Sequence, residues 1–344
     1  MAKEQPIYDI GPFKSSTKNT DTQLNVYVSN KRFKIDLFTS NFERSPALLA
    51  KYLRHVQRQE PEWIADESEV DMDGEFEDPL DEKHDWVLQP FLPIFHEIAP
   101  LDLSQKYTLE DCLSAEEFHY TAQAVGDNLV PIYLSNTKNM KNDLIGALLP
   151  SSIDYSPFPV HHPREVQVPI SADSAALSGL PHKVFIRQPQ PSLFNILYGD
   201  DMSITIREIL TYSKIRMAKF DPPILTSQLE GLVQDNDGYV MGLVLSYISC
   251  DGATLNCIDG HDPKFSELRQ KWADQISHTI KHLHSYNIIW GDTKAANVLI
   301  DANEDAYLID FGGGYTKGWA EKEKSNSTEG DLQRLENIKR YLFG

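Results

Sequence analysis

Residues 288–301, IIWGDTKAANVLID, interrupt an apolar run with three polar groups at fixed spacing. Asp292 comes first, Lys294 two residues later and Asn297 five residues after the Asp, before Val298-Leu299-Ile300 resumes the apolar run. A second apolar stretch, AYLIDFGGG, then delivers Asp310 eighteen residues after Asp292. Two short strands joined by acidic surface turns account for the apolar runs but not for the polar spacing. An acid, an ammonium, an amide and a second acid, set around two strands at these intervals, restrict the chain to few folds.

The bulk properties leave room for such a site. A chain of 344 residues is long for one domain and comfortable for two. Its 41% hydrophobic and 24% charged residues suit a globular core. The formal net charge of -19 offers no basic stripe for a nucleic-acid backbone and repels anionic membranes, so neither is expected as a partner. No apolar run approaches the ~18 residues of a membrane span. Cys112, Cys250 and Cys257 form no CxxC pair, which suggests free thiols in a reducing compartment. The expected location is intracellular, cytoplasmic or nuclear.

The first half is less specific. Residues 24–38 alternate around Ser29-Asn30-Lys31 and predict a hairpin. Ser45 followed by Pro46 marks a helix start. Residues 60–85 hold 13 carboxylates and one Lys, a composition expected of a solvated loop. Within it, residues 69–80 imitate a calcium loop, but Leu80 stands where the closing Glu belongs, so no EF-hand is expected. Residues 86–150 read as helical in places, TLEDCLSAEEFHYTAQAV among them. The Pro- and Ser-rich stretch 151–165 is the candidate linker, and His161-His162, with no third ligand nearby, is read as solvated loop.

From about 182 to 331 the sequence resembles the protein-kinase-like superfamily, nearest in pattern to divergent fungal kinase-like proteins. HLHSYNIIWGDTKAANVLI is similar to a helix ending followed by H-R-D-x-K-x-x-N, and IDFG to D-F-G. The resemblance implies ATP and Mg²⁺ as cofactors and a protein or small-molecule hydroxyl as substrate. Asp292 would orient the attacking hydroxyl, Lys294 would sit against the transferring phosphate, and Asn297 and Asp310 would hold Mg²⁺. GYVMGLVLSYI reads as a hinge strand with Leu245 at a gatekeeper-like position and the backbones of Ser246 and Ile248 on the adenine edge. TIREILTYSKI is similar to the helix whose Glu pairs with a strand Lys, which makes Glu208 that acid. Arg187, 21 residues earlier in KVFIRQ, takes the position of the Lys, with Lys183 as the alternative cation.

The implied fold is α+β: a bilobal protein-kinase-like fold with a truncated C-lobe over 161–344, preceded by an acidic α/β N-terminal extension over 1–160. Several features depart from the family pattern. No G-x-G-x-x-G precedes KVFIRQ, and no A-P-E follows Asp310. Trp290 and Gly291 replace the His and Arg of H-R-D, which removes the usual partner of a phosphorylated activation loop and leaves Trp290 to fill an apolar position. Asp331 resembles the buried Asp that braces the catalytic loop from the following helix. Three functions follow as expectations: an ATP- and Mg²⁺-dependent phosphotransferase on protein Ser/Thr, a pseudokinase scaffold that holds nucleotide without turnover, and a small-molecule kinase of the aminoglycoside or choline type.

Overall fold

The computed structural model describes residues 8–11, 13–16, 18–57, 79–141, 145–170, 176–177, 181–187, 189–199, 202–250, 254–258, 262–313 and 326–344. Most of the acidic calcium-like stretch lies outside the described residues. The chain divides into two compact units, residues 1–142 with 168–180, and residues 143–167 with 181–344. The Pro-rich 151–165 stretch, expected as a linker, falls inside the second unit. Its Val160–His161 strand pairs in parallel with Leu232 and Val233.

In the first unit the predicted hairpin forms from strands Thr22–Val28 and Lys31–Leu37, turning at Ser29 with φ 54°. Helix Pro46–Gln57 begins at the predicted proline, whose fixed φ suits a first turn. The stretch expected to be helical after Thr108 is helical only over Leu109–Leu113. It then runs as a strand, Ser114–Val125, parallel to Lys31–Leu37. Period-two patterning explains the correction. Phe118, Tyr120 and Ala122 join the apolar core, while Glu117 on the opposite face meets Arg32 (Nε–Oε2 2.7 Å) and Lys34 (Nζ–Oε2 3.3 Å). A helix would mix those two sets on one surface.

The second unit is a sheet followed by helices, the α+β class expected. Strand Lys183–Ile186 lies between Val166–Val168 and Ser192–Ile196. Ser192–Ile196 then pairs along its length with Val240–Ser246, and Val240–Ser246 pairs with Leu229–Gln234. Helix Met202–Ala218 follows the sheet's third strand and buries Ile209, Tyr212 and Ile215. Helix Ser266–Ser285 buries Trp272, Ile276, Ile280 and Leu283 at helical spacing, and Thr328–Phe343 adds Leu335, Ile338 and Leu342 to the same core. Between those helices the strands Val298–Ile300 and Ala306–Leu308 form a short hairpin. Among the described residues no helix is long and apolar enough to cross a membrane.

Candidate active site

The 298–308 hairpin sets the spacing seen in the sequence. Its turn closes on Asp301, whose side chain accepts the N–H groups of Asn303 (2.9 Å) and Asp305 (2.8 Å). A single 3₁₀ turn, Ala295–Asn297, enters the first strand, and the Ile309 N–H donates to the Asn297 carbonyl at 3.0 Å as the second strand leaves. Asp292 and Asp310 therefore flank the hairpin's open end, with Asn297 between them. The Asn297 amide donates to the Asp292 carbonyl (2.9 Å), to Asp292 Oδ2 (3.1 Å) and to Asp310 Oδ2 (3.3 Å). Lys294 Nζ completes the group at 2.7 Å from Asp292 Oδ2. The four residues that the spacing singled out share one bonded cluster.

Two carboxylates in a half-closed site repel each other. Burial pushes the Asp310 carboxyl above its usual range and the Asp292 charge adds to this, while Lys294, the Gly312 N–H and Asn297 pull it back. Asp310 itself has φ 59°, a left-handed backbone that non-glycine residues adopt at some cost.

The loop is braced from beneath by Asp331, which is fully buried. Its carboxylate accepts the N–H groups of Trp290 (2.8 Å) and Gly291 (2.9 Å), the Thr293 hydroxyl (2.9 Å) and an interaction with His284 Nε2 (2.9 Å). Arg334, equally buried, donates to the Gly291 carbonyl at 2.5 Å. Trp290 fills the apolar position expected of it, and its indole N–H reaches the Ile309 carbonyl at 2.7 Å. Both sides of the hairpin are thereby tied to one plane of support. Asp331 was legible as a brace; its partners His284 and Arg334 were not, because neither carries a distinctive spacing.

On the sheet side the expectations need correction. Arg187 does not meet Glu208. Its side chain is 70% exposed and pairs with Glu165. Lys183 is no substitute, since its Nζ lies over the Tyr247 ring, 4.9 Å from the centroid. The reason is topological: KVFI lies one strand too far out, and the strand between it and the hinge strand is Ser192–Ile196. The residue that faces Glu208 from there is Asn195, whose Nδ2 donates to Oε2 at a long 3.4 Å. An amide thus stands where an ammonium was expected. Burial pushes the Glu208 carboxyl up to about 8, with the Asp310 charge as the second cause. The signal that could have found Asn195 was order: SLFNI is the apolar run directly before the helix. It holds no cation, so charge does not mark it in the sequence.

Leu245 is buried in the hinge strand opposite Leu193 and Leu229. The N–H of Ser246 is engaged with the Gln228 carbonyl at 2.8 Å, which leaves its carbonyl as the backbone group that would meet an adenine edge. The sheet extends one residue further than the apolar run suggested. Ile248 lies just beyond the strand end and is partly exposed.

Among the described residues no group of three or more His, Cys, Asp and Glu is arranged to hold a metal ion. Asp310 offers carboxylate oxygen of the kind a hard cation takes, while Asn297 presents its amide N–H group to both carboxylates in this arrangement.

Residues 203–332 match the family described as Protein kinase domain. Over 104 residues the chain is 32% identical to the mitogen-activated protein kinase mpkC of Aspergillus fumigatus, covering 30% of this chain and 26% of that kinase. Over 123 residues it is 28% identical to a probable serine/threonine-protein kinase of Arabidopsis thaliana, covering 30% of this chain and 17% of the relative. The chain spans about a quarter or less of the curated relatives it matches.

Proposed function

We infer, from a second unit that belongs to the protein-kinase-like superfamily, that this chain transfers the terminal phosphoryl group of ATP to a hydroxyl in a Mg²⁺-dependent reaction. The observation that carries the reading is the bonded cluster of Asp292, Lys294, Asn297 and Asp310. Phosphoryl transfer asks a protein for positioning and charge balance more than for covalent chemistry. Asp292 Oδ2, oriented by Lys294 and Asn297, accepts the proton of the incoming hydroxyl. Lys294 is the cation closest to that oxygen and stabilises charge on the group in transit. Asp310 would hold Mg²⁺, joined by Asn297 once its amide turns its oxygen in place of the N–H that now meets Asp310. The raised Asp310 pKa fits a site where a divalent cation would relieve carboxylate repulsion. When bound, that ion supplies charge neutralisation on the phosphates. Protein Ser or Thr is the favoured acceptor, by analogy with the serine/threonine-protein kinase and the mitogen-activated protein kinase that the chain resembles.

A nucleotide-binding pseudokinase is the second reading, and Asn195 favours it, because among the described residues the side chain that meets Glu208 is an amide rather than an ammonium that could grip the phosphates. Transfer of labelled γ-phosphate to a generic protein acceptor distinguishes the two. Asp292→Asn should reduce the rate at least a hundredfold, since general-base assistance contributes about 10²–10⁴. A wild-type chain that binds Mg-ATP but shows no transfer above that variant would decide for the pseudokinase.

A further inference from the structure

Helix Met202–Ala218 presents Ile204 and Arg207, one turn apart, to the glycines that follow Phe311. A Cβ on Gly312 would lie 2.5 Å from Ile204 Cγ2, and one on Gly313 would lie 2.6 Å from Arg207 Nη1. The backbone after Asp310 therefore rests closely on this ridge, and a side chain at either glycine would have to displace Ile204 or the end of Arg207. Arg207 Nη1 donates to Asn326 Oδ1 at 2.8 Å, across 119 positions of chain. The same oxygen sits against Gly291, where a Cβ would lie 2.7 Å away, and against Gly313. Gly291 and Gly313 have φ of 89° and 70°, which favour glycine on conformational grounds as well.

One amide oxygen is thus the meeting point of four segments: the helix that carries Glu208, the turn after Asp310, the loop that carries Asp292 and the entry to helix Thr328–Phe343. An exposed Arg–Asn hydrogen bond is ordinary by itself. Two glycines cleared around it, Gly291 and Gly313, are not. Position 291 is also where the family pattern carries the Arg that receives a phosphorylated segment. The geometry points to a phosphorylation-independent latch, in which Arg207 supplies a guanidinium from the helix and Asn326 supplies the acceptor oxygen that a phosphate would otherwise bring. Arg207 and Asn326 are positioning residues: they hold the Glu208 helix and the Asp310 turn in one arrangement without touching a reacting atom. The consequence for turnover rests on the phosphotransfer reading; the latch itself does not.

Hydrogen exchange on the full chain, followed by mass spectrometry over residues 203–209 and 311–313, tests it. Both side chains lie at the surface, so their removal spares the core. Arg207→Ala and Asn326→Ala should each speed exchange there about fivefold, the factor that ~1 kcal/mol of lost hydrogen bonding gives. Asn326 has φ 55°, so Asn326→Ala also carries backbone strain, and the double variant should exchange no faster than Asn326→Ala alone, because both changes remove one interaction. Asn326→Asp keeps the acceptor and should exchange as the wild type does. Unchanged exchange in the two alanine variants, or an Asn326→Asp that behaves as Asn326→Ala, would overturn the latch. A chain with the latch intact and no phosphate transfer would overturn the phosphotransfer reading alone.

Discussion

Asp292 and Glu208 are both buried carboxyls of the second unit, and they are held in opposite ways. Asp292 has an ammonium at 2.7 Å and an amide at 3.1 Å, on a loop whose backbone is anchored by a second buried acid. Glu208 has one amide at 3.4 Å and a like-charged neighbour in Asp310. The loop region balances its charge with protein groups. The strand-and-helix region balances it with a proton. A buried acid without a cation stays neutral, so the same residue type performs different work on the two sides. The loop half and the sheet half of the candidate site are therefore separable in physical terms.

The loop side should be the costlier one to break. Asp331→Ala strands the N–H groups of Trp290 and Gly291, the Thr293 hydroxyl and His284 at once. Removing one partner from a buried charged network costs about 3–5 kcal/mol. Urea unfolding should show that loss, with Asp331→Asn recovering part of it.

The sheet side should show itself through pH. With a folded pKa of about 8 against an ordinary value of 4.5, Glu208 binds more protons folded than unfolded between those limits. Stability therefore falls as pH rises through that window and levels off above it, by an amount on the order of 4 kcal/mol. Glu208→Gln should flatten this dependence and be the more stable chain at pH 8.5. Paired unfolding curves at pH 5.5 and 8.5 measure it; parallel pH profiles for the two chains would mean Glu208 is not the group.

Asn195→Lys should make the two sides alike. An ammonium beside Glu208 lowers that carboxyl's pKa and restores a cation for phosphates. Nucleotide affinity should rise roughly tenfold, or ~1.4 kcal/mol, and the pH dependence should shrink. Calorimetric titration reads the first and unfolding at two pH values the second. Arg187→Ala marks the small end of the scale. A surface pair with Glu165 contributes within about 0.2–1 kcal/mol, and nucleotide affinity should stay at the wild-type value.

These outcomes bear on how far sequence could lead. The loop was readable because all its polar groups are local: Asp292, Lys294 and Asn297 lie on one turn, and a hairpin of fixed length brings back Asp310. Glu208 was readable as a position on a helix, but its partner depends on which strand adjoins the hinge strand. That is a matter of sheet order, and cation-seeking led to KVFIRQ, one strand too far. The strand Ser114–Val125 escaped for a related reason. Its alternation is partly hidden by the charged pair Glu116-Glu117, one of which is buried against Arg32. Helices in the second unit, with apolar residues three and four apart, raised no such ambiguity.

If the proposed Mg²⁺ binds beside Asp310 while Glu208 has only an amide for a partner, nucleotide should be held chiefly through Asp310 and its cation. Thermal unfolding of the full chain with millimolar ATP, in excess Mg²⁺ or in chelator, tests this directly, with Asp310→Ala as the control. At ligand concentrations near 100 Kd the wild type should gain about 2.7 kcal/mol, a rise in Tm of about 5–10 °C, in Mg²⁺ alone. Asp310→Ala should remain folded and show no rise in either condition. An equal rise in chelator, or a rise in Mg²⁺ that survives Asp310→Ala, would contradict the account.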